Sequence, residues 1–218
     1  MQVFIIGMSG AIGGLLADRL RDRGVVVRGL VRGANQQADL QSKGVEATVG
    51  NLGTMSVDEL ARAVEGSDVI VYTAGSNGGA RDITDTIDGN GVSTALKAAE
   101  QAGVRRFALV SVFPESWRER ALGEEVEHYF AVKKAADVAV TRSGLDWLIL
   151  RPSLLLDDPG VGTISLGPAE VHDDIAREDV ADTLAELLCE PRISCQILEL
   201  NRGTTPIGKA VAANVRSV

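Results

Sequence analysis

Four residues of this chain have types and spacings suited to moving a proton or holding a charge: Ser111, Tyr129, Lys133 and Arg32. Tyr129 and Lys133 are one helical turn apart in a segment, residues 124–143, whose pattern predicts a helix, so both side chains project from one face. Ser111 follows the strand expected over RFALV at residues 106–110 and stands at its carboxyl end. Where such a strand end and helix meet, a hydroxyl, a phenol and an ammonium converge. That set suits reduction of a carbonyl. The hydroxyl holds the substrate oxygen, the phenol donates its proton as hydride arrives, and the cation draws the phenol pKa down from about 10. The same spacing also describes an ordinary Tyr–Lys pair on a solvated helix face, so its meaning depends on whether a hydride source lies nearby.

A place for that source is written at the start of the chain. Val3-Phe4-Ile5-Ile6 is a continuous apolar run of the kind that fills a strand buried on both faces. Gly7, Gly10 and Gly13 follow at three-residue steps, and Ile12, Leu15, Leu16 and Leu20 then fall on one helical stripe. Strand, glycine turn and helix start form a cradle for a diphosphate. The glycines let backbone approach the ligand, the unpaired first-turn N–H groups point at it, and the third glycine lets the helix pack closely on the strand. Ser9 stands where the second glycine of G-x-G-x-x-G would be. Residues 25–31 read as the second strand, closed by Arg32-Gly33, with Arg28 in the same segment. Dinucleotide-binding folds place an acid at that strand end to bond the adenosine ribose 2′-hydroxyl. A guanidinium there suits a 2′-phosphate instead, so NADP is expected in preference to NAD.

The remaining pattern supplies the scaffold. Further strands are expected at 45–49, 68–73, 106–110, 145–150 and 195–200, and a short one at 163–166 within an otherwise irregular stretch, 154–167. Helices are expected at 10–23, 56–65, where Ser56 and Glu59 have capping-box spacing, and at 83–102, 124–143 and 173–188, with a turn at 37–42 and a terminal turn within 203–211. Residues 114–123 read as a loop. Alternation without a linker or repeat predicts a Rossmann-type α/β fold: a doubly wound parallel sheet in three layers over residues 1–218, with 152–218 adding a small substrate-side region.

At 218 residues and a net charge of −8, the chain lacks the basic surface that nucleic acid requires. It has no apolar run long enough to cross a bilayer and no leader pattern, so neither membrane nor nucleic acid is an expected partner and a cytoplasmic location is expected. Cys189 and Cys195 are too few for a disulfide framework and read as buried, reduced thiols; His128 and His172 lack metal-ligand spacing, and no metal is expected. The expected partner is a small-molecule substrate, with a homodimer left open.

Taken together, these motifs resemble the short-chain dehydrogenase/reductase superfamily, in its atypical, extended-like branch of compact NAD(P)-binding proteins. The resemblance rests on Gly7-x-x-Gly10-x-x-Gly13, Leu30-Val31-Arg32, residues 99–111 (AEQAGVRRFALVS), Tyr129-x-x-x-Lys133, residues 143–153 (SGLDWLILRPS) and 175–181 (IAREDVA). It implies that Gly7, Ser9, Gly10, Ala11, Ile12 and Gly13 surround the diphosphate and that Arg32 lies near the 2′-phosphate. It also implies Asn51 and Leu52 by the adenine, Ala74 and Gly75 by the adjoining ribose, and Lys133 bonded to the nicotinamide ribose. The backbone of Pro152, Ser153, Leu154 and Leu155 would border the nicotinamide. Asn51 stands where relatives more often carry Asp, and Asp88 where many extended members carry Asn. The short stretch after Arg151 argues against a nucleotide-sugar epimerase or dehydratase, which needs a larger substrate domain. An oxidoreductase using Ser111, Tyr129 and Lys133 is the first reading. A non-catalytic dinucleotide sensor, and a flavin or quinone reductase that does not need Tyr129, are the others.

Overall fold

The computed structural model describes residues 1–117 and 119–216; Arg118, within the expected loop 114–123, lies outside them. Its centre is β1 (Gln2–Ile6), whose alternate side chains serve opposite layers. Val3 and Ile5 join the core under one set of helices, while Phe4 and Ile6 join the core on the other face. All four are fully buried, which is why the run is apolar without alternation. From β1 the chain passes through α1 (Ala11–Asp22) to β2 (Val26–Val31), then α2 (Ala34–Ser42) to β3 (Glu46–Val49). It returns by α3 (Val57–Val64) to β4 (Val69–Tyr72), on the opposite side of β1.

Next come α4 (Arg81–Thr84), a π-helical turn (Asp85–Asn90) and α5 (Gly91–Ala102), which form one continuous helix leading to β5 (Arg106–Val110). Then follow α6 (Glu124–Thr141), β6 (Asp146–Pro152), β7 (Leu154–Leu156), β8 (Thr163–Gly167), β9 (Asp174–Ala176), α7 (Arg177–Cys189), β10 (Gln196–Arg202), β11 (Thr205–Pro206) and α8 (Ile207–Ala213). The main sheet runs β11-β8-β10-β6-β5-β4-β1-β2-β3 and is parallel from β10 to β3; β8 and β11 add antiparallel pairs at one edge. The strand order reverses between β1 and β4, and such a switch point opens a crevice at the carboxyl ends of the strands.

Most expected elements are present, including the capping box: Ser56 N donates to Glu59 Oε2 at 2.8 Å and Glu59 N to Ser56 Oγ at 3.3 Å. Four expectations are corrected. The helix expected at 173–188 begins only at Arg177, because Asp174–Ala176 pairs in parallel with Leu154–Leu156 as a separate ribbon. That ribbon also orders part of the stretch 154–167 that reads as irregular. The helix expected at 83–102 contains the π-helical turn around Gly89, where the hydrogen-bond ladder slips by one residue. Both cysteines are exposed rather than buried: Cys189 ends α7, and Cys195 sits in a left-handed turn (φ +50°) before β10.

Candidate functional site

The glycine turn follows β1 directly at the switch point. Gly7 has φ +96°, and a Cβ there would lie 2.5 Å from Ala74 N at the end of β4. A Cβ on Gly13 would lie 2.2 Å from Gly7 O. Gly13 therefore sets the close packing of α1 on β1, and it does not line the cleft. Gly10 N donates to Gly7 O at 2.9 Å. The N-terminus of α1 has no side-chain cap and no acidic residue in its first turn, so its N–H groups and its positive dipole end remain open to an anion. This backbone cradle fits a diphosphate.

A cleft of about 640 Å³ opens over it. Gly7, Ser9, Gly10, Ala11, Ile12, Arg32, Asn51, Leu52, Ala74, Gly75 and Leu155 of the expected contacts line it, together with Gln36, Ser76, Asn77, Ile83, Ile87, Asp157 and Arg177. Arg32 is exposed at the end of β2, where its backbone N–H donates to Gln36 Oε1 at 3.0 Å and its guanidinium has no ion pair among the described residues. Arg28 is committed elsewhere: it donates to the carbonyls of Ala63 (2.7 Å) and Glu65 (2.9 Å), closing the end of α3. Asn51 turns its Oδ1 to Gly53 N at 3.0 Å. Of the segment expected beside the nicotinamide, only Leu155 reaches the cleft. Pro152 and Ser153 are buried, Ser153 N donates to Leu200 O at 2.8 Å, and Leu154 faces solvent.

Tyr129, Lys133 and Ser111 stand behind the cleft wall, and Asp88 links the first two to it. Asp88, placed by the π-helical turn, is fully buried. Its Oδ2 accepts from the cleft-lining Ser76 N at 2.9 Å and its Oδ1 from Lys133 Nζ at 3.3 Å. Lys133 Nζ also donates to Val110 O at 3.2 Å, which ties α6 to the end of β5. Tyr129 is half-buried, and burial followed by the Asp88 charge pushes its phenol well above the ordinary tyrosine pKa. The expected lowering by Lys133 is thus corrected, because the ammonium is spent on Asp88. The same turn receives Tyr72, whose hydroxyl donates to Ile87 O and whose pKa burial also raises.

Ser111 is buried beside Asp137, which lies two helical turns along α6 from Tyr129. Arg151 holds Asp137 Oδ2 through Nε (3.0 Å) and Nη2 (2.8 Å). Burial raises the Asp137 pKa, opposed by Ser111 and Arg151. Just past Ser111, Phe113 and Trp117 meet the His172 ring edge-on at 5.0 Å and 4.6 Å, joining the loop after β5 to the segment before β9. Sequence reasoning missed the Asp88–Lys133 bond, the Arg151–Asp137 pair and the Asp157–Arg177 pair. Only the residue types were visible, since each contact joins elements distant in the chain.

Comparison with known proteins agrees with this geometry. The model of a family described as NAD(P)H-binding matches residues 7–191. An uncharacterized sugar epimerase of Bacillus subtilis (strain 168), YhfK, is 37% identical over 213 residues, covering 97% of this chain and 99% of its own. The structure of the oxidoreductase ylbE from Lactococcus lactis superposes with a TM-score of 0.86 at 27% identity, covering 98% of this chain and 96% of that one. ChuY, an anaerobillin reductase from Escherichia coli O157:H7, gives a TM-score of 0.78 at 26% identity over 93% of this chain and 97% of its own.

Proposed function

Because the chain belongs to the NAD(P)H-binding family, we propose that it is an NADP-dependent reductase acting on a small carbonyl-type acceptor, with Tyr129 as proton donor. A dinucleotide bound in the cleft would supply the hydride. Ser9, Ala11 and Ile12 would hold its diphosphate through backbone N–H groups, with Gly10 leaving room for the ligand beside them, and Arg32 would hold its 2′-phosphate. Asn51 and Leu52 would border the adenine, and Ala74 and Gly75 the ribose. Lys133, fixed by Asp88 and Val110 O, would orient the reacting end from behind the wall.

The observation that carries the reading is geometric: Tyr129 shares a face of α6 with Lys133, which Asp88 and Val110 O hold at the end of β5, and Asp88 also accepts from cleft-lining Ser76 N. The protonated phenol is the form that donates to a carbonyl oxygen and the phenolate serves the reverse reaction; the raised pKa makes Tyr129 a weaker acid and does not itself favour donation. Proton transfer to the developing alkoxide leaves the phenolate beside the Lys133–Asp88 pair, to be reprotonated from solvent.

The assay is NADPH oxidation by the purified protein against a panel of aldehydes, ketones, quinones and flavins. Turnover of a carbonyl supports the reading, and tight NADPH binding without turnover of any acceptor defeats it. Since the phenol pKa is raised, the protonated form persists as pH climbs. The kcat for reduction is expected to stay level between about pH 6 and pH 9, whereas an alkaline fall centred below about pH 9 would mean a lowered phenol pKa. Arg32→Ala is expected to weaken NADPH by about tenfold or more while sparing NADH, a charge-assisted contact being lost from one cofactor only. Equal weakening of both would remove the 2′-phosphate contact. A second reading, hydride transfer to a conjugated ring, is favoured by the apolar cleft residues Ile83, Ile87 and Leu155 and by the absence of Tyr129 from the lining.

A further inference from the structure

Among the described residues, three charged ones line the cleft: Arg32, Asp157 and Arg177. In a chain of net charge −8, the cleft carries two guanidiniums against one carboxylate, and Arg32 and Arg177 sit on different walls. Arg177 is the first residue of α7, where a cation opposes the positive end of the helix dipole. The acids that follow it, Glu178 and Asp179, suit that helix end and also hold the neighbouring loop, and neither is the ion-pair partner of Arg177 among the described residues. Glu178 Oε2 accepts from Gly160 N at 3.0 Å, and Asp179 accepts from Val161 N at 3.0 Å and Gly162 N at 2.8 Å. The partner of Arg177 is Asp157, with Nη1 2.6 Å from Oδ1, and the Asp157 side chain is 89% exposed. A solvated carboxylate is a weak, exchangeable partner for the guanidinium of Arg177, whose side chain is partly buried.

The placement of α7 says what would replace it. Arg19 pairs with Asp182 at 2.6 Å and, one turn further along both helices, Arg23 pairs with Glu186 at 2.7 Å. Helices α1 and α7 therefore run parallel and in step on the same face of the sheet. Counting back along both sets Arg177 beside the first turn of α1, where the open N–H groups of the glycine turn face the cleft.

We propose that Arg177 binds the dinucleotide diphosphate, and that Asp157 occupies its guanidinium until the phosphate oxygens displace the carboxylate. The proposal rests on the cleft being a dinucleotide site and needs no turnover. The diphosphate is common to both cofactors, so Arg177 differs from Arg32 in its signature. Dissociation constants for NADPH and NADH, read by nicotinamide fluorescence on the full chain, form the test. Arg177→Gln is expected to weaken both cofactors alike, by about tenfold or more, the usual loss for one charge-assisted contact. Arg177→Lys, which keeps the charge and the fold, should recover part of that loss. Asp157→Asn, at an exposed position, should tighten both cofactors several-fold and have no effect once Arg177 is glutamine.

Unchanged cofactor affinities in Arg177→Gln would overturn the proposal. So would a loss confined to acid-bearing acceptors, seen as weaker binding of 4-carboxybenzaldehyde but not benzaldehyde, which would put an acceptor carboxylate on Arg177. If the unaltered protein binds neither dinucleotide, the cleft reading fails and this proposal with it. Binding that is intact in the parent and insensitive to Arg177 removes this proposal alone.

Discussion

Gly7→Ala is expected to cost the protein several kcal/mol of stability and its dinucleotide binding together. The backbone at Gly7 holds φ +96°, a conformation that costs an alanine about 1–3 kcal/mol. The added methyl would also stand 2.5 Å from Ala74 N and 2.9 Å from the Thr73 carbonyl carbon. Both are backbone atoms at the end of β4, so no rotamer change relieves the contact and the turn must separate from the sheet, adding about 1–3 kcal/mol. Against a typical domain stability of about 5–15 kcal/mol, that sum lowers the urea midpoint sharply. The displaced N–H groups of α1 lose their aim, and NADPH affinity falls even where the chain still folds. Gly24→Ala is the control: it shares a positive φ of +74° but has nothing within 4 Å, so only the smaller conformational cost applies. Equal midpoints for the two variants would contradict the close approach of β1 and β4.

Tyr129→Phe should have the largest effect on rate with the least effect on structure. It deletes one oxygen and keeps the ring, which packs against Phe130 at a centroid distance of 5.9 Å. Loss of a positioned proton donor typically lowers the rate by about 10²–10⁴-fold, so carbonyl reduction should fall by that order in kcat. Cofactor affinity and the urea midpoint should match the parent protein. The contrast between acceptors is what makes the result decisive. A ring acceptor reduced equally well by parent and variant would transfer the function to the second reading, in which the cleft supplies hydride geometry and no protein acid. A carbonyl reduced at an unchanged rate would remove Tyr129 from the mechanism.

The parts of this protein that were legible in its sequence are those set by local pattern. The runs that became β1, β4 and β5 are buried on both faces, so they carry uninterrupted apolar residues that mark them out. The glycine turn was legible because only glycine fits the backbone there, and the Ser56–Glu59 cap because both partners lie within one turn. The three-residue strands β7 and β9 were not legible. Neither has enough residues for a period, and each exists only because the other is adjacent. The start of α7 was misplaced for that reason, and Arg177 and Asp157 went unassigned with it. The direction of the Tyr129 pKa was a subtler loss. Tyr129 and Lys133 have the expected spacing, but burial decides the outcome and the Asp88 charge reinforces it. The orientation of Asp88 depends on the slipped hydrogen bonds of the π-helical turn, which a stretch reading as continuous helix does not announce.

The two rims of the main sheet bear on how the molecule behaves among its own copies. A sheet that ends in a bare strand invites another chain to add to it, and the invitation grows with the length of unpaired backbone. Here one rim is β11, two residues long and ending in Pro206, which has no N–H to offer. At the other rim, Gln37 Nε2 of α2 donates to Ala47 O of the four-residue β3 at 2.6 Å, covering an outward carbonyl. Both rims thus offer another chain less unpaired backbone than a bare long strand would, a device by which sheets disfavour edge-to-edge addition.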